Sequence, residues 1–139
     1  MAIMDARLEF ADATSVGGVV ATTAVGNVID MGVEGKNYGD GTPIYLHVRM
    51  VAAATGTTNV ATIAWYLQES ASTTAGSFAT KLTLKAATTT PTYVAGYKVY
   101  DAALPSVSYK RYLRLATAIA TSSVTAGTCD AFLSLDPVQ

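Results

Sequence analysis

The stretch PIYLHVRMV, residues 43–51, contains the only histidine of this 139-residue chain. General acid–base catalysis by His47 would require a partner that orients and tunes the imidazole. No such partner stands near it in the sequence, and no G-x-S-x-G nucleophile elbow occurs anywhere in the chain. We therefore expect His47 to be a solvated or interface residue, we assign no catalytic residue, and we do not expect an enzyme.

The residues that could hold a metal ion or a phosphate are few and badly spaced. One histidine and one cysteine, Cys129, cannot form a His/Cys cluster. The segment NYGDGTP, residues 37–43, lacks the alternating ligands and the distal glutamate of a calcium loop. The Gly-Lys pair at 35–36 could end a phosphate loop, but Asp30 and Asn37 stand where glycine and Ser/Thr are needed. We expect no metal and no cofactor.

The basic segment YKRYLRL, residues 109–115, is the strongest candidate for binding. In a strand, Lys110, Tyr112 and Arg114 would share one face. Such a face could stack on and neutralise single-stranded nucleic acid, or anchor a protein interface, or simply be solvated. The glycine-aromatic signature of an RNA-binding sheet is absent, and all three readings remain open on the residues alone.

The charge of the chain is small but unevenly distributed. A net charge of −1 creates no global field that would attract nucleic acid or an acidic membrane, so we expect neither as a partner. Residues 81–114 nevertheless contain six basic residues and one acidic residue, whereas residues 1–80 contain seven acidic and three basic residues. This segregation suits a protein that presents one surface to an acidic neighbour.

The rest of the composition indicates a single globular domain over residues 1–139. Half of the residues are hydrophobic and only 14% are charged. A single cysteine excludes an intrachain disulfide, and Cys129 is interpreted as a small buried hydrophobic residue. We expect no secretory signal and no membrane span, because no apolar segment of the required length is present.

The dominant hydrophobic period is two, which is typical of half-buried strands. Turn-forming stretches separate the periodic runs, and no segment keeps a helical spacing over three turns. The pattern predicts an all-β fold, an antiparallel β-sandwich of jelly-roll type. The predicted strands cover residues 7–11, 16–21, 26–31, 44–51, 60–69, 78–84, 93–100, 110–119 and 129–135.

Four blocks of the sequence resemble a known family when they are taken in order. They are MDARLEFADA at 4–13, NVIDMG at 27–32, GTPIYLHV at 41–48 and YKRYLRL at 109–115. Together they resemble the small capsid cement proteins of tailed phages, of the kind found on Bordetella-type short-tailed phages. The resemblance implies a jelly-roll-like virion protein, made in the bacterial cytoplasm, that sits outside an icosahedral shell and clamps adjacent major capsid proteins.

The resemblance also implies self-association, for which we favour a dimer over a trimer. Residues 1–12 are predicted to form an extended N-terminal arm or an edge strand that adds to a neighbour. The candidate interface residues are Arg7, Leu8, Phe10, Lys110, Tyr112 and Arg114. Deleting residues 1–10 is expected to weaken oligomerisation or capsid retention while the core stays folded.

A carbohydrate- or receptor-binding module of a virion is the alternative function. Loop aromatics could stack on sugars, and Tyr38, Tyr93 and Tyr100 are the candidates, although such residues more often cap a core.

Overall fold

The computed structural model describes residues 8–32, 35–37, 41 and 43–135. Ten strands account for most of these residues, together with two short 3-10 turns at Ala75–Ser77 and Thr90–Thr92. The strands are β1 Glu9–Ser15, β2 Thr22–Asp30, β3 Lys36–Asn37, β4 Tyr45–Gly56, β5 Thr62–Ser70, β6 Ala79–Thr89, β7 Lys98–Ala103, β8 Ser108–Tyr109, β9 Tyr112–Ala120 and β10 Val124–Ser134. No helix in the described ranges is long and apolar enough to cross a membrane.

The eight long strands form two antiparallel four-stranded sheets. The first sheet has the order β1-β10-β4-β7 and the second has the order β2-β9-β5-β6, while the short strands β3 and β8 pair with each other. Successive long strands alternate between the two sheets, except that β5 and β6 lie in the same sheet. This is the strand order of a jelly roll. The predicted all-β sandwich of jelly-roll type is confirmed.

The core lies between the sheets and is made by the alternation that the sequence predicted. Leu46, Val48 and Met50 of β4 are at most 1% exposed, and they lie in the same core cluster as Trp65 of β5 and Leu115 of β9. Each such side chain contributes roughly 1.5–3 kcal/mol when it is fully buried. Cys129 is also completely buried, as predicted, and burial raises the pKa of its thiol to about 12.

A bulge in β2 closes one side of the sandwich. The register of β2 against β9 shifts between Val25 and Val28. Gly26 lies there with φ 73°, and a Cβ atom at this position would stand 1.8 Å from the carbonyl oxygen of Phe10. Only glycine allows the bulge to approach β1 this closely, so the bulge joins the two sheets along this edge.

Two predicted strands are wrong over more than half of their length, whereas the others differ from the observed strands in their bounds. Residues 16–21 form only one isolated bridge, between Gly18 and Val124, and the backbone bends at the three residues that follow it. The strand predicted at 93–100 begins only at Lys98, since a turn with Gly96 at φ 81° occupies its first half. Tyr93 in that turn lies in the core, where its hydroxyl donates to the Ile63 carbonyl at 2.8 Å.

Candidate protein interface

Strand β9 divides its side chains between the core and the outer face of the second sheet. Leu113 and Leu115 are completely buried, so Tyr112 and Arg114 point outwards. Neighbouring strands complete an aromatic and polar patch around them. We call this patch the Arg114 face, and it consists of Val28, Tyr66, Gln68, Phe78, Tyr112 and Arg114.

The guanidinium of Arg114 is held in place by two neighbours. Its Nε donates to Oε1 of Gln68 at 2.8 Å, and its central carbon lies 4.2 Å from the ring centroid of Phe78. Burial lowers the pKa of Arg114 below its usual value. The guanidinium makes no ion pair with any residue of the described ranges. Its remaining donors can therefore bind a carboxylate or carbonyl group of a partner.

Tyr112 lies beside a second arginine whose charge is already neutralised. Arg111 binds both carboxylate oxygens of Asp30, at 2.8 and 2.9 Å, and its guanidinium lies 5.2 Å from the Tyr112 ring centroid. The hydrogen bond from Arg111, with a further one from the Gly32 N–H, lowers the pKa of Asp30 to about 2. Arg111 therefore orders this end of the sheet and offers little free charge.

Lys110 precedes β9, so strand alternation does not fix its direction. Its backbone N–H donates to the Glu69 carboxylate at 3.0 Å, and its side chain is exposed. Lys81 forms an ion pair with the same carboxylate at 3.7 Å.

Acidic partners therefore neutralise three of the six basic residues in segment 81–114. Lys81, Lys98 and Arg111 each have an acidic partner. The other three basic residues have no ion pair within the described residues, and they are Lys85, Lys110 and Arg114. The unpaired positive charge near the Arg114 face is thus smaller than the sequence suggests.

The N-terminal candidates lie on a different part of the molecule. Arg7 is outside the described residues, and Leu8 packs against the core. Phe10 in β1 is completely buried, so its ring is not available to a partner, and we leave it out of the proposed interface. Deleting residues 1–10 would remove this ring from the core at a cost of about 3–5 kcal/mol. A deletion that keeps Leu8 and Phe10 in place must therefore end at residue 7.

His47 is buried, so of the two expected alternatives the solvated one is wrong, and the interface one stays a prediction. Its side chain faces outwards from the central strand β4, but neighbours leave it only 5% exposed. The Nδ1 atom lies 2.6 Å from Oδ1 of Asp101. The ring stacks on Tyr45 at a centroid distance of 6.3 Å and packs at a tilt against Phe132 at 5.1 Å.

Asp101 lies between two basic groups in this cluster. Its other carboxylate oxygen pairs with Lys98 at 3.2 Å. Burial alone would raise the pKa of Asp101, but the hydrogen bonds from Lys98 and His47 outweigh it and hold that pKa below its usual value. The cluster stabilises the outer face of the first sheet.

The geometry gives little support to a metal site or to a carbohydrate-binding site. The described residues contain no group of three or more His, Cys, Asp or Glu side chains that could hold a metal ion. Of the aromatics considered for sugar binding, Tyr93 is buried, Tyr100 is half-buried and Tyr38 lies outside the described residues.

Sequence reasoning missed the residues that support the outward side chains. Gln68 is 46 positions from Arg114, and Asp101 is 54 positions from His47. Strand pairing alone brings these pairs together, since β5 lies beside β9 and β7 lies beside β4. An interpretation that had paired the strands correctly could have found both.

A comparison with protein families connects this geometry to a biological context. A family model described as Bbp16 matches residues 10–133, which is more than half of the chain. The chain belongs to the Bbp16 family. The family name suggests a Bordetella phage protein, which agrees with the resemblance at that level. No curated protein sequence matches the chain.

Proposed function

We propose that this protein is a structural component of a phage virion, which binds the outside of an icosahedral capsid and bridges adjacent major capsid proteins. Membership of the Bbp16 family supports the phage context. The observation that carries the proposal is the Arg114 face. It combines Arg, Tyr and Phe, the residue types that most often anchor protein interfaces, on a rigid sheet.

The arrangement of Arg114 suits attachment to a protein rather than catalysis. Its position is already fixed by Gln68 and Phe78, so binding a partner would cost little side-chain entropy. The remaining N–H groups of the planar guanidinium could donate two parallel hydrogen bonds to a carboxylate of the partner. The neighbouring Val28 is 42% exposed and could add apolar contact area.

A passive bridge would stabilise a shell through contact area. A stable protein interface buries about 1,200–2,000 Å² in total, and that interface must be broken before a seam between capsid proteins can open. Several such contacts from one oligomer raise the effective concentration, so that modest affinities become durable attachment.

The test compares two arginines at equivalent places in the two sheets. Arg114 and Arg49 both point outwards from a central strand, but Arg49 is 58% exposed and pairs with Asp130. We expect Arg114→Ala to lower the occupancy of the protein on purified particles at least tenfold, whereas Arg49→Ala leaves it unchanged. Cryo-electron microscopy of the particles gives occupancy and site together, and thermal unfolding verifies that both variants fold.

Two results would contradict the proposal. One is a wild-type protein that is absent from the outer capsid surface. The other is equal occupancy for the two variants, which would mean that attachment does not use the Arg114 face. Binding of the free protein to a glycan array, lost in Arg114→Ala, would instead support the carbohydrate-binding alternative.

A further inference from the structure

The Arg114 guanidinium uses only one of its nitrogen atoms within the described part of the chain. Its Nε donates to Oε1 of Gln68 at 2.8 Å, whereas the two terminal nitrogens make no hydrogen bond or ion pair with a described residue. Phe78 covers the guanidinium, with 4.2 Å between its ring centroid and the central carbon. The edge formed by the two terminal nitrogens therefore remains for a partner.

Gln68 determines which edge of the guanidinium is open. It lies in β5 directly opposite Arg114 in β9, on the two central strands of the second sheet, and it is only 7% exposed. A carboxylate can bind a guanidinium side-on, through Nε and one terminal nitrogen, or end-on, through both terminal nitrogens. Because Gln68 already accepts the Nε hydrogen, only the end-on mode is open.

The charge around Arg114 matches a ligand group with a single negative charge. The residues that pair with Arg114 across the sheet are Val28 and Gln68, and both are uncharged. The neighbouring Arg111 is neutralised by Asp30, with an ion pair of 2.8 Å. A polyanion such as a nucleic acid binds through several free cations, whereas one carboxylate is matched by one guanidinium.

The two lysines without an ion pair do not extend this charge into a basic patch. Lys85 lies over the ring of Tyr97, with 5.7 Å from its Nζ to the ring centroid. Lys110 precedes β9 and lies four positions before Arg114. Four residues of extended chain span about 13 Å, so the two backbones are well separated.

We infer that the Arg114 face binds one carboxylate of a partner protein end-on, and that Gln68 is the positioning residue that selects this geometry. The inference rests on the proposed function, in which the partner is the major capsid protein. The carboxylate can belong to an Asp or Glu side chain or to a chain terminus, because all three present the same two oxygens. Two parallel hydrogen bonds then join two planar groups.

Two substitutions separate geometry from charge. Gln68→Glu places a carboxylate beside the guanidinium, so an internal ion pair should replace the pair with the partner. Arg114→Lys keeps the positive charge but removes the planar fork. Val51→Glu is the matched control, because it changes the charge as Gln68→Glu does, at a residue of the first sheet that is 43% exposed. Thermal unfolding verifies folding, and Arg114→Lys decides the outcome if Gln68→Glu does not fold.

The test measures the occupancy of each variant on purified capsid particles at several NaCl concentrations. We expect occupancy to fall at least about tenfold for Gln68→Glu and for Arg114→Lys, and to be unchanged for Val51→Glu. The residual attachment of Gln68→Glu should also lose its salt dependence, because its guanidinium is already neutralised. A merely structural role of Gln68 would not change the salt response. Treating the particles with carboxypeptidase first distinguishes a terminal carboxylate from a side chain, and either source supports the inference.

Three results would overturn the inference while the capsid proposal stands. One is full occupancy by Arg114→Lys, which would mean that charge alone attaches the protein. Another is a folded Gln68→Glu variant that attaches as the wild type does. The third is binding of the free protein to single-stranded DNA that is lost in Arg114→Lys, since the ligand would then be a phosphate. A wild-type protein absent from the capsid surface has a different meaning, because it contradicts the capsid proposal and overturns the inference with it.

Discussion

The two ends of the sandwich are stabilised by different forces. At the loop end, formed by the loops at residues 16–21, 57–61, 90–97 and 121–123, backbone hydrogen bonds join four loops whose sequences contain no charged residue. At the opposite end, charged side chains connect the strands, through Arg111 with Asp30 and through Lys81 with Glu69. A jelly roll gathers alternate connections at each end, so the topology itself separates these two kinds of chemistry.

Because of this difference, the two ends should respond differently to acid and to salt. Ion pairs between exposed groups weaken with acid and with salt, whereas apolar contacts and backbone hydrogen bonds do not depend on either in this way. Acid and salt should therefore affect the charged end more than the loop end. Four predictions can break or sharpen this contrast.

The largest expected effect concerns close packing at the loop end. A Cβ atom on Gly56 would stand 2.5 Å from the Ala61 Cβ and 2.6 Å from the Thr58 carbonyl oxygen. Gly56→Ala should therefore lower the free energy of unfolding by about 1–3 kcal/mol. Gly76→Ala at the charged end meets nothing within 4 Å, so it should change that free energy by less than about 0.5 kcal/mol. Urea unfolding measures both, and equal values would show that the loop end is not tightly packed.

A smaller change in the free energy of unfolding, this time an increase, is expected from a substitution in the β9–β10 turn of the loop end. Thr121 has φ 71°, a conformation that costs an L-residue roughly 1–2 kcal/mol. Thr121→Gly should remove this strain, and part of the gain is offset by the larger entropy of glycine in the unfolded chain. We expect a net stabilisation of up to about 1 kcal/mol in thermal unfolding. Thr23→Gly, in the regular strand β2, should destabilise the protein, and a destabilised Thr121→Gly variant would contradict the strain.

Acid should act on the charged end first. The pKa of Asp30 is lowered from 3.8 to about 2, so its carboxylate stabilises the fold fully above pH 3.8. That stabilisation is lost as the pH falls through about 2, because the unfolded state then binds the proton more readily. The curve of unfolding free energy against pH should be flatter for Asp30→Asn than for the wild type in this window. If the curves of the variant and the wild type superimpose, Arg111 does not favour the ionised form of Asp30.

The smallest expected effect is the salt response of capsid attachment. Attachment through the Arg114 face should weaken between about 0.05 and 0.5 M NaCl, since salt screens the contact between the guanidinium and an acidic partner. Particle pull-down measures the attachment, and an occupancy that does not change with salt would mean that this charge does not contribute to it.

The sequence predicted those parts of the fold that depend on side-chain alternation. Strand β4 follows from the period of Leu46, Val48 and Met50, and the core position of Cys129 follows from its phase with Leu133. The valines of residues 16–21 led to a wrong strand prediction, because hydrophobic spacing alone does not show that the backbone bends at residues 19–21.

The candidate sites were less predictable because they depend on pairing between distant strands. Local spacing gave the outward direction of Tyr112 and Arg114 correctly. It could not show that Gln68 holds Arg114, or that neighbouring strands bury His47 against Asp101. The loop end escaped notice for the same reason, since four uncharged loops become one surface only after both sheets are assembled.

The position of β10 sets an order of events during synthesis of the chain. β1 is an edge strand whose sheet neighbour is β10, and the Ala13 N–H reaches the Asp130 carboxylate across 117 sequence positions. During translation, β1 therefore remains unpaired with β10 until more than a hundred further residues have been synthesised. Contacts of such long sequence separation also slow folding. Completion of the first sheet is thus a late event, and an unfinished chain exposes a ribbon edge that chaperones or other nascent copies could capture.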